Sequence, residues 1–320
     1  MNIDADVGHK MMDQIMIKLK GIYDFMIWGF YKKTFPFWQR IGIHITPNHF
    51  YLPIPDTREL NDELWLKHSE LIGININEKK QLGLLSLFSS KFKEEYDRFP
   101  AQKTSIPYQY YVNNGAFGNV DAEILYCIIR HFKPGKIIEI GSGFSTFLSA
   151  QAILKNKSEN SNYDCELIVI DPYPSDVIKK GFPGLTKVIR EKVQDIPPPK
   201  FKELKENDIL FIDSSHVLKI GSDVQYLYLD VLPRLNKGVL IHFHDIFLPA
   251  EYPKTWVLKK YIFWNEQYLL QAFLAFNDSF EVIWAGSYMH LKHSDKLEKA
   301  FNSYKRQKGW PGSFWIRRVK

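Results

Sequence analysis

Cysteine is scarce in this sequence: two among 320 residues, Cys127 and Cys165, both in apolar surroundings and without a CxxC pair. That excludes the disulfide framework of a small secreted domain and suits a reducing compartment. No eighteen apolar residues run together, so no segment reads as a membrane-spanning helix. The N-terminus carries Asp4, Asp6 and Asp13 and lacks a basic stretch followed by a long apolar one, which argues against a cleaved signal peptide and for a cytoplasmic protein. Charge of one sign is also thin. Lys plus Arg number 42 against 36 Asp plus Glu, a net +6, scattered rather than in blocks. There is no basic stripe interleaved with aromatics, so nucleic acid is not an expected partner. What is plentiful is aromatic residues, 15% of the chain, which first of all fill cores and interfaces and admit a homodimer.

The first hundred residues read as helices and loops. A helix is expected from about Met11 to Tyr31, then a proline-rich passage ITPNHFYLPIPDTREL, then helical patterns over Asp62 to Ile72 and Glu78 to Phe99. The stretch from Lys18 to Arg40 mixes bulky aromatics with basic residues, as an interfacial helix contacting a membrane or a partner would. Burial against the main domain is the plainer reading, because Gly29 and Pro36 interrupt the pattern. From about Val120 onward helices alternate with short apolar strands. Asp121 to Phe132, Ser145 to Lys155, Asp176 to Lys180 and Val224 to Leu235 read as helices, and KIIEI, CELIVID, TKVIR, DILFID and GVLIHFHDI as strands. Such alternation makes a doubly wound, mostly parallel α/β sheet. Beyond it a long aromatic helix is expected over Trp256 to Phe276, a strand pair over Phe280 to Leu291, and an edge strand in SFWIRRVK.

The strongest chemical signal is KIIEIGSGFST, residues 136–146, a strand entering a glycine turn and then a helix. Gly141 and Gly143 permit torsions and close approaches closed to other residues. No GKS or GKT follows, and Thr146 stands where the dinucleotide pattern GxGxxG needs its third glycine. Glu139 places negative charge where a pyrophosphate would be repelled and a cationic ligand welcomed. About thirty residues on, the next strand ends in Asp171, the position from which a carboxylate accepts hydrogen bonds from ribose hydroxyls.

Through EIGSGFST, IVID, the acidic VQDIP and FIDSSH, in this order, the chain from about Asn113 to Trp256 resembles the class I S-adenosylmethionine-dependent methyltransferases. The upstream run HFYLPIPD is similar to a bacterial branch of that superfamily that methylates oxygens of small molecules and sugars. The resemblance implies a Rossmann-like domain over residues 113–320 behind a helical extension, 1–112, with S-adenosyl-L-methionine as cofactor. It places Glu139 and Gly141 at the methionine end, with Ser142, Gly143, Ser145 and Thr146 around the turn, Asp171 at the ribose, and Asp195 with Ile196 at the adenine. Plainer roles exist: Glu139 as partner of a helix dipole, Asp171 as opener of the turn at Pro172.

Two further strands end in ionisable residues, FIDSSH and HFHDI. The strand period of two puts His242 and His244 on one face, with Asp245 leaving at the carboxyl end. Asp213, His216, His244 and Asp245 therefore converge where a methyl acceptor would meet the cofactor. In one chemistry His216 or His244 is a general base oriented by Asp213 or Asp245. In the other, Asp213, His244 and Asp245 bind a divalent cation that lowers the acceptor's pKa, as the related metal-dependent O-methyltransferases imply. An imidazole in that set suits Mg poorly and Mn, Fe, Ni or Zn better. The metal-free base is the preferred reading, and His242 is expected to be a core residue.

Asp223 reads as a helix-start acid beside Lys219. Glu251, Tyr252, Pro253 and Trp256 form a loop suited to polyols or sugars, with His49, Tyr51 and Tyr111 as further candidates for substrate contact. The reading that gathers these signals is O-methylation of a small-molecule or saccharide hydroxyl. Its rivals are a metal-dependent oxidase, hydroxylase or hydrolase on the same sheet, and a non-catalytic scaffold that docks through the aromatic N-terminal helix.

Overall fold

The computed structural model describes residues 3–320, and the side chains of Asp4, Asp6 and Asp13 lie outside that description. The chain divides into two compact units, one ending at Asn61 and one beginning at Asp62.

In the first unit a single helix, α1, covers Ile3–Arg40. It runs on through Gly29 and through Pro36, past the expected stop near Tyr31. The segment after Arg40 returns along it: His49 meets the Trp28 ring edge-on at 5.4 Å and His44 packs on Phe35 at 5.2 Å.

The second unit opens with a short helix, α2 (Glu63–Leu66), much shorter than the expected Asp62 to Ile72, and continues with α3 (Glu78–Tyr96). The apolar positions Leu85, Phe88, Phe92 and Tyr96 bury one face of α3. Next comes α4 (Asp121–Phe132), buried on nearly every side. Arg130 of α4 reaches Glu95 of α3 at 2.8 Å, so α3, expected in the extension over residues 1–112, packs within the sheet unit, and the division falls at Asn61 and Asp62 instead.

The sheet elements follow as β1 (Lys136–Ile140), α5 (Phe144–Glu159), β2 (Glu166–Ile170), α6 (Asp176–Lys180), β3 (Lys187–Ile189), β4 (Ile209–Ile212), α7 (Asp223–Tyr226), β5 (Leu240–Phe243), α8 (Lys254–Lys259), α9 (Glu266–Leu274), β6 (Phe280–Ala285), α10 (Gly286–Ala300) and β7 (Phe314–Arg318). After α7 the helix continues through a wide turn over Leu227–Val231 and a tight one over Leu232–Arg234. The seven strands lie in the order β3-β2-β1-β4-β5-β7-β6. The first five in sequence pair in parallel, and β7 runs antiparallel to both β5 and β6. This is the expected doubly wound α/β sheet, with one core beneath α3, α4, α5 and α10 and another beneath α7 and α9.

Three expectations beyond β5 are corrected. The aromatic helix is two helices, because the chain breaks at Lys260 and Tyr261 takes a left-handed φ of 55°. The second member of the strand pair is α10, since the aromatic and β-branched run of β6 stops at Ala285. The closing strand is internal, not an edge: β7 sits between β5 and β6. Its alternation reflects aliphatic stems laid over aromatic rings, Arg317 above Phe132 and Arg318 above Phe280, at 4.9 and 4.7 Å.

Candidate functional site

The chain winds outward from β1 through β2 to β3, then resumes on the other side with β4 and β5. In open parallel sheets, ligands bind outside the carboxyl ends of the strands where that reversal occurs. Here the reversal lies between β1 and β4, and the structure has a cleft of about 600 Å³ at that point. Its walls include Gly141, Asp171, Gln194, Asp213, Lys219 and Asp223.

Gly141 is required there by two independent constraints. Its φ is +85°, and a Cβ at this position would stand 2.1 Å from the carbonyl oxygen of Asp213. The glycine therefore lets the chain leaving β1 lie directly against the chain leaving β4, and that close approach shapes the cleft floor. On the next strand, Asp171 accepts from the Ser142 hydroxyl at 2.5 Å and from the Tyr173 amide at 2.7 Å. Both the turn-opening role and the binding role are compatible with this, because an ionised carboxylate has about four acceptor positions and only two are used.

Glu139 is 1% exposed and burial pushes its carboxyl up to about 8, against the pull of the Ser145 and Thr146 hydroxyls. Ser145 donates to one of its oxygens at 2.5 Å, while the other, Oε2, has no partner. Pushed up this far, the carboxyl is protonated near neutrality on its own, and a cationic group such as an ammonium set beside Oε2 would favour its ionised form. Thr146 accepts from the Gly143 amide at 3.0 Å, so it and Ser145 act by fixing the turn. Of the proposed adenine contacts, Asp195 and Ile196 do not line the cleft. Val193 and Gln194 do, and Ile196 is buried.

Beyond Asp213 lies the second group of ionisable residues. His216, 4% exposed, has Nδ1 at 2.9 Å from Glu266 and Nε2 at 3.3 Å from Asp213 and 4.0 Å from Asp245. Burial opposes its charge, but the Asp213 and Glu266 carboxylates overcome that and raise its pKa to about 10. Asp213, open to the cleft on one side, is pushed up by burial, yet the His244 and His216 charges hold it below the usual carboxylate range. His244 is opposed by burial and raised by Asp245, Asp213 and Asp121. Both His216 and Asp245 have left-handed φ values, 58° and 54°, a conformation that costs a non-glycine residue on the order of 1 kcal/mol or more.

Two strand positions away, His242 behaves as expected of a core residue. It stacks on Phe211 at 3.9 Å, meets the Ser313 hydroxyl at 3.0 Å, and is driven well below its usual pKa by burial and by the neighbouring histidines. Among the described residues no three His, Cys, Asp or Glu side chains converge as a metal site. Asp213, His244 and Asp245 share this region, with His244 Nε2 at 3.7 Å from Asp245.

Glu266 escaped the sequence reading. It lies 50 residues from His216 and is brought there by the break before α9, at whose first turn an acid looks like an ordinary helix-start residue. Trp264, in the same break, packs on the His216 ring at 4.3 Å. In the loop expected to meet substrate, Glu251 instead accepts from the Tyr252 amide and from the Tyr268 hydroxyl, and Tyr252 is buried. Asp223 receives the Ser215 amide and hydroxyl at 2.9 and 2.5 Å, holding the chain between Asp213 and His216. Tyr111 sits edge-on to Phe144 beside the glycine turn, while His49 and Tyr51 pack together in the first unit.

A family model described as a methyltransferase domain matches residues 138–246, the stretch from β1 through β5 that carries both groups of residues. An uncharacterized protein of Archaeoglobus fulgidus is 32% identical over 178 residues, covering 53% of this chain and 78% of the relative. Among solved structures, similarity extends to the O-methyltransferase from Bacillus cereus in complex with SAH, 12% identical over 76% of this chain and 91% of that one, with a TM-score of 0.34. It extends also to the TDP-rhamnose 3'-O-methyltransferase of calicheamicin biosynthesis, 14% identical over 75% and 93%, with a TM-score of 0.38. The matched stretch holds the glycine turn and the ends of β1, β2 and β4 that wall the cleft, so over residues 138–246 the chain carries a domain that matches the methyltransferase family.

Proposed function

We propose that the protein transfers the methyl group of S-adenosylmethionine to a hydroxyl of a small molecule, a polyol or saccharide, with Asp213 receiving the hydroxyl proton. The observation that carries this reading is the double position of Asp213, which lines the cleft and also stands 3.3 Å from His216. S-adenosylmethionine, when bound, supplies a methyl carbon on a positively charged sulfur. The chain's own task is then to align an oxygen and take its proton.

The two neighbouring histidines keep Asp213 ionised and able to accept the hydroxyl's hydrogen bond; the same charges weaken it as a base, so the proton moves only as the new C–O bond forms. His216 suits the task less well. Gripped by Asp213 and Glu266, the imidazole is already protonated near neutrality and acts as the fixed positive charge that orients Asp213. At the other end of the cleft, Gly141 and Asp171 are the residues for the cofactor's methionine and ribose parts, with Glu139 buried two residues before Gly141, and Gln194 is the side chain towards its base. The Trp264 ring against His216, with Trp256 edge-on to it at 5.3 Å, supports an acceptor that offers C–H faces as well as hydroxyls.

The test is calorimetric titration with S-adenosylmethionine and S-adenosylhomocysteine, followed by transfer of labelled methyl to a panel of hydroxylated acceptors across pH. Saturable binding and a rate that does not climb as pH approaches about 10 are expected. A rate rising into that range would move the base to His216, and absence of cofactor binding would sink the proposal.

A further inference from the structure

The helix α1 carries apolar side chains on two sides, and its own unit covers only one. Trp28 and Phe35, seven residues apart and so on one face, meet His49 and His44 of the returning segment. On the opposite face Met16, Leu19, Tyr23, Met26, Phe30 and Phe37 follow one another at steps of three, four and seven. At 100° per residue they fall within a single arc of roughly 80°. Each of them is 56–66% exposed.

The borders of this arc are basic. Lys33 and Arg40 project along one edge, where Ile15 and Ile22 are also exposed, Lys20 along the other, with Lys18 and Lys32 further round on either side of the exposed Phe25, and all five cations are exposed. Between Lys18 and Arg40 the only acid is Asp24. No helix among the described residues is long and apolar enough to cross a membrane. A long, uncovered apolar stripe edged by lysine and arginine, on a helix too polar to insert, has the charge and shape complement of an anionic bilayer surface.

A second copy of α1 fits the same stripe less well. A two-stranded coil prefers branched aliphatics and leucine at its seam and opposite charges at its borders. Here the seam is methionine and aromatic rings, Lys33 falls on the three-four spacing itself, and facing copies would set like charges against each other.

We propose that α1 is a peripheral membrane anchor that lies in the interface of an anionic phospholipid bilayer, its methionine and aromatic stripe in the acyl boundary and its lysines at the headgroups. This inference does not depend on the cofactor reading, since no residue of the cleft takes part in it.

The experiment is flotation of the full chain with vesicles of phosphatidylcholine alone or containing phosphatidylserine, at low and high salt. Binding to the phosphatidylserine vesicles is expected, weakened by salt. The variant K20E/K33E should reduce it by about tenfold or more, and M26E/F30E should abolish it. All four positions are exposed, so the thermal transition and S-adenosylmethionine titration of both variants should match the parent. Failure to bind anionic vesicles would overturn the proposal. So would a concentration-dependent dimer in lipid-free solution that M26E/F30E disperses, because the stripe would then belong to a second copy.

Discussion

The two sides of Asp213 are built on different principles. On the cleft side the work is done by backbone: a left-handed glycine, an amide holding Asp171, and strand ends in register. On the other side it is done by ionisable side chains, His216, His244 and Glu266 buried and Asp245 half-buried, two of the four in costly left-handed torsions. A surface made by backbone accommodates a bound molecule without altering its chemistry, whereas buried charges alter the proton affinity of whatever enters. Cofactor affinity and turnover should therefore separate by residue, with Asp213 at the seam.

The sharpest way to break this division is Gly141→Ala. Its new Cβ meets the Asp213 backbone, so the floor shared by both sides must shift. We expect a lower thermal transition and loss of detectable S-adenosylmethionine binding; a variant that binds normally by calorimetry would show that the close approach is dispensable. Next in size, Asp213→Asn should cut turnover by about 10²- to 10⁴-fold while cofactor affinity stays within a few-fold. Asp171→Ala should do the reverse, weakening affinity by roughly tenfold with turnover at saturating cofactor preserved. If both variants lose the same parameter, the two sides are not separable.

The charged side carries its own pH signature. His216 has a folded-state pKa raised to about 10, above the ordinary 6.5, so its contribution to stability is complete below 6.5 and is lost as pH rises through 10. The difference in melting temperature between the parent and His216→Asn should accordingly shrink as pH climbs through that window; a difference that grows would contradict the ion-pair geometry. The smallest effect sharpens the cleft's outline. Asp195→Ala should leave affinity within about twofold, and Gln194→Ala should lower it more; the opposite ranking by titration would return the adenine edge to Asp195.

Local signals made the sheet, and the nearness of Asp213 to His216, legible in the sequence. The strands are continuous apolar runs, the glycine turn follows β1 directly, and Asp213 and His216 are three residues apart, so neighbourhood in sequence is neighbourhood in space. Glu266 was hidden because its role depends on a loop that folds a distant helix onto β4 and β5, and a break between Lys260 and Glu266 leaves no periodic trace in an aromatic-rich stretch. Gln194 rather than Asp195 lines the cleft because one residue of rotation in a short tight turn decides which side chain faces it, and spacing along the sequence does not carry that rotation. The alternation in β7 misled for a physical reason, since arginine stems can cover rings as well as extend into water.

Residues 314–318, strand β7, are the last of the sheet to leave the ribosome, yet they lie between β5 and β6. Just before them, Gly312 packs against Asp245 and donates its amide to Asp121, and Ser313 holds His242. The strands that frame the cleft are all made earlier. The histidine strand β5 therefore gains its second neighbour from the far end of the sequence, while the strands that frame the cleft pair among themselves without it.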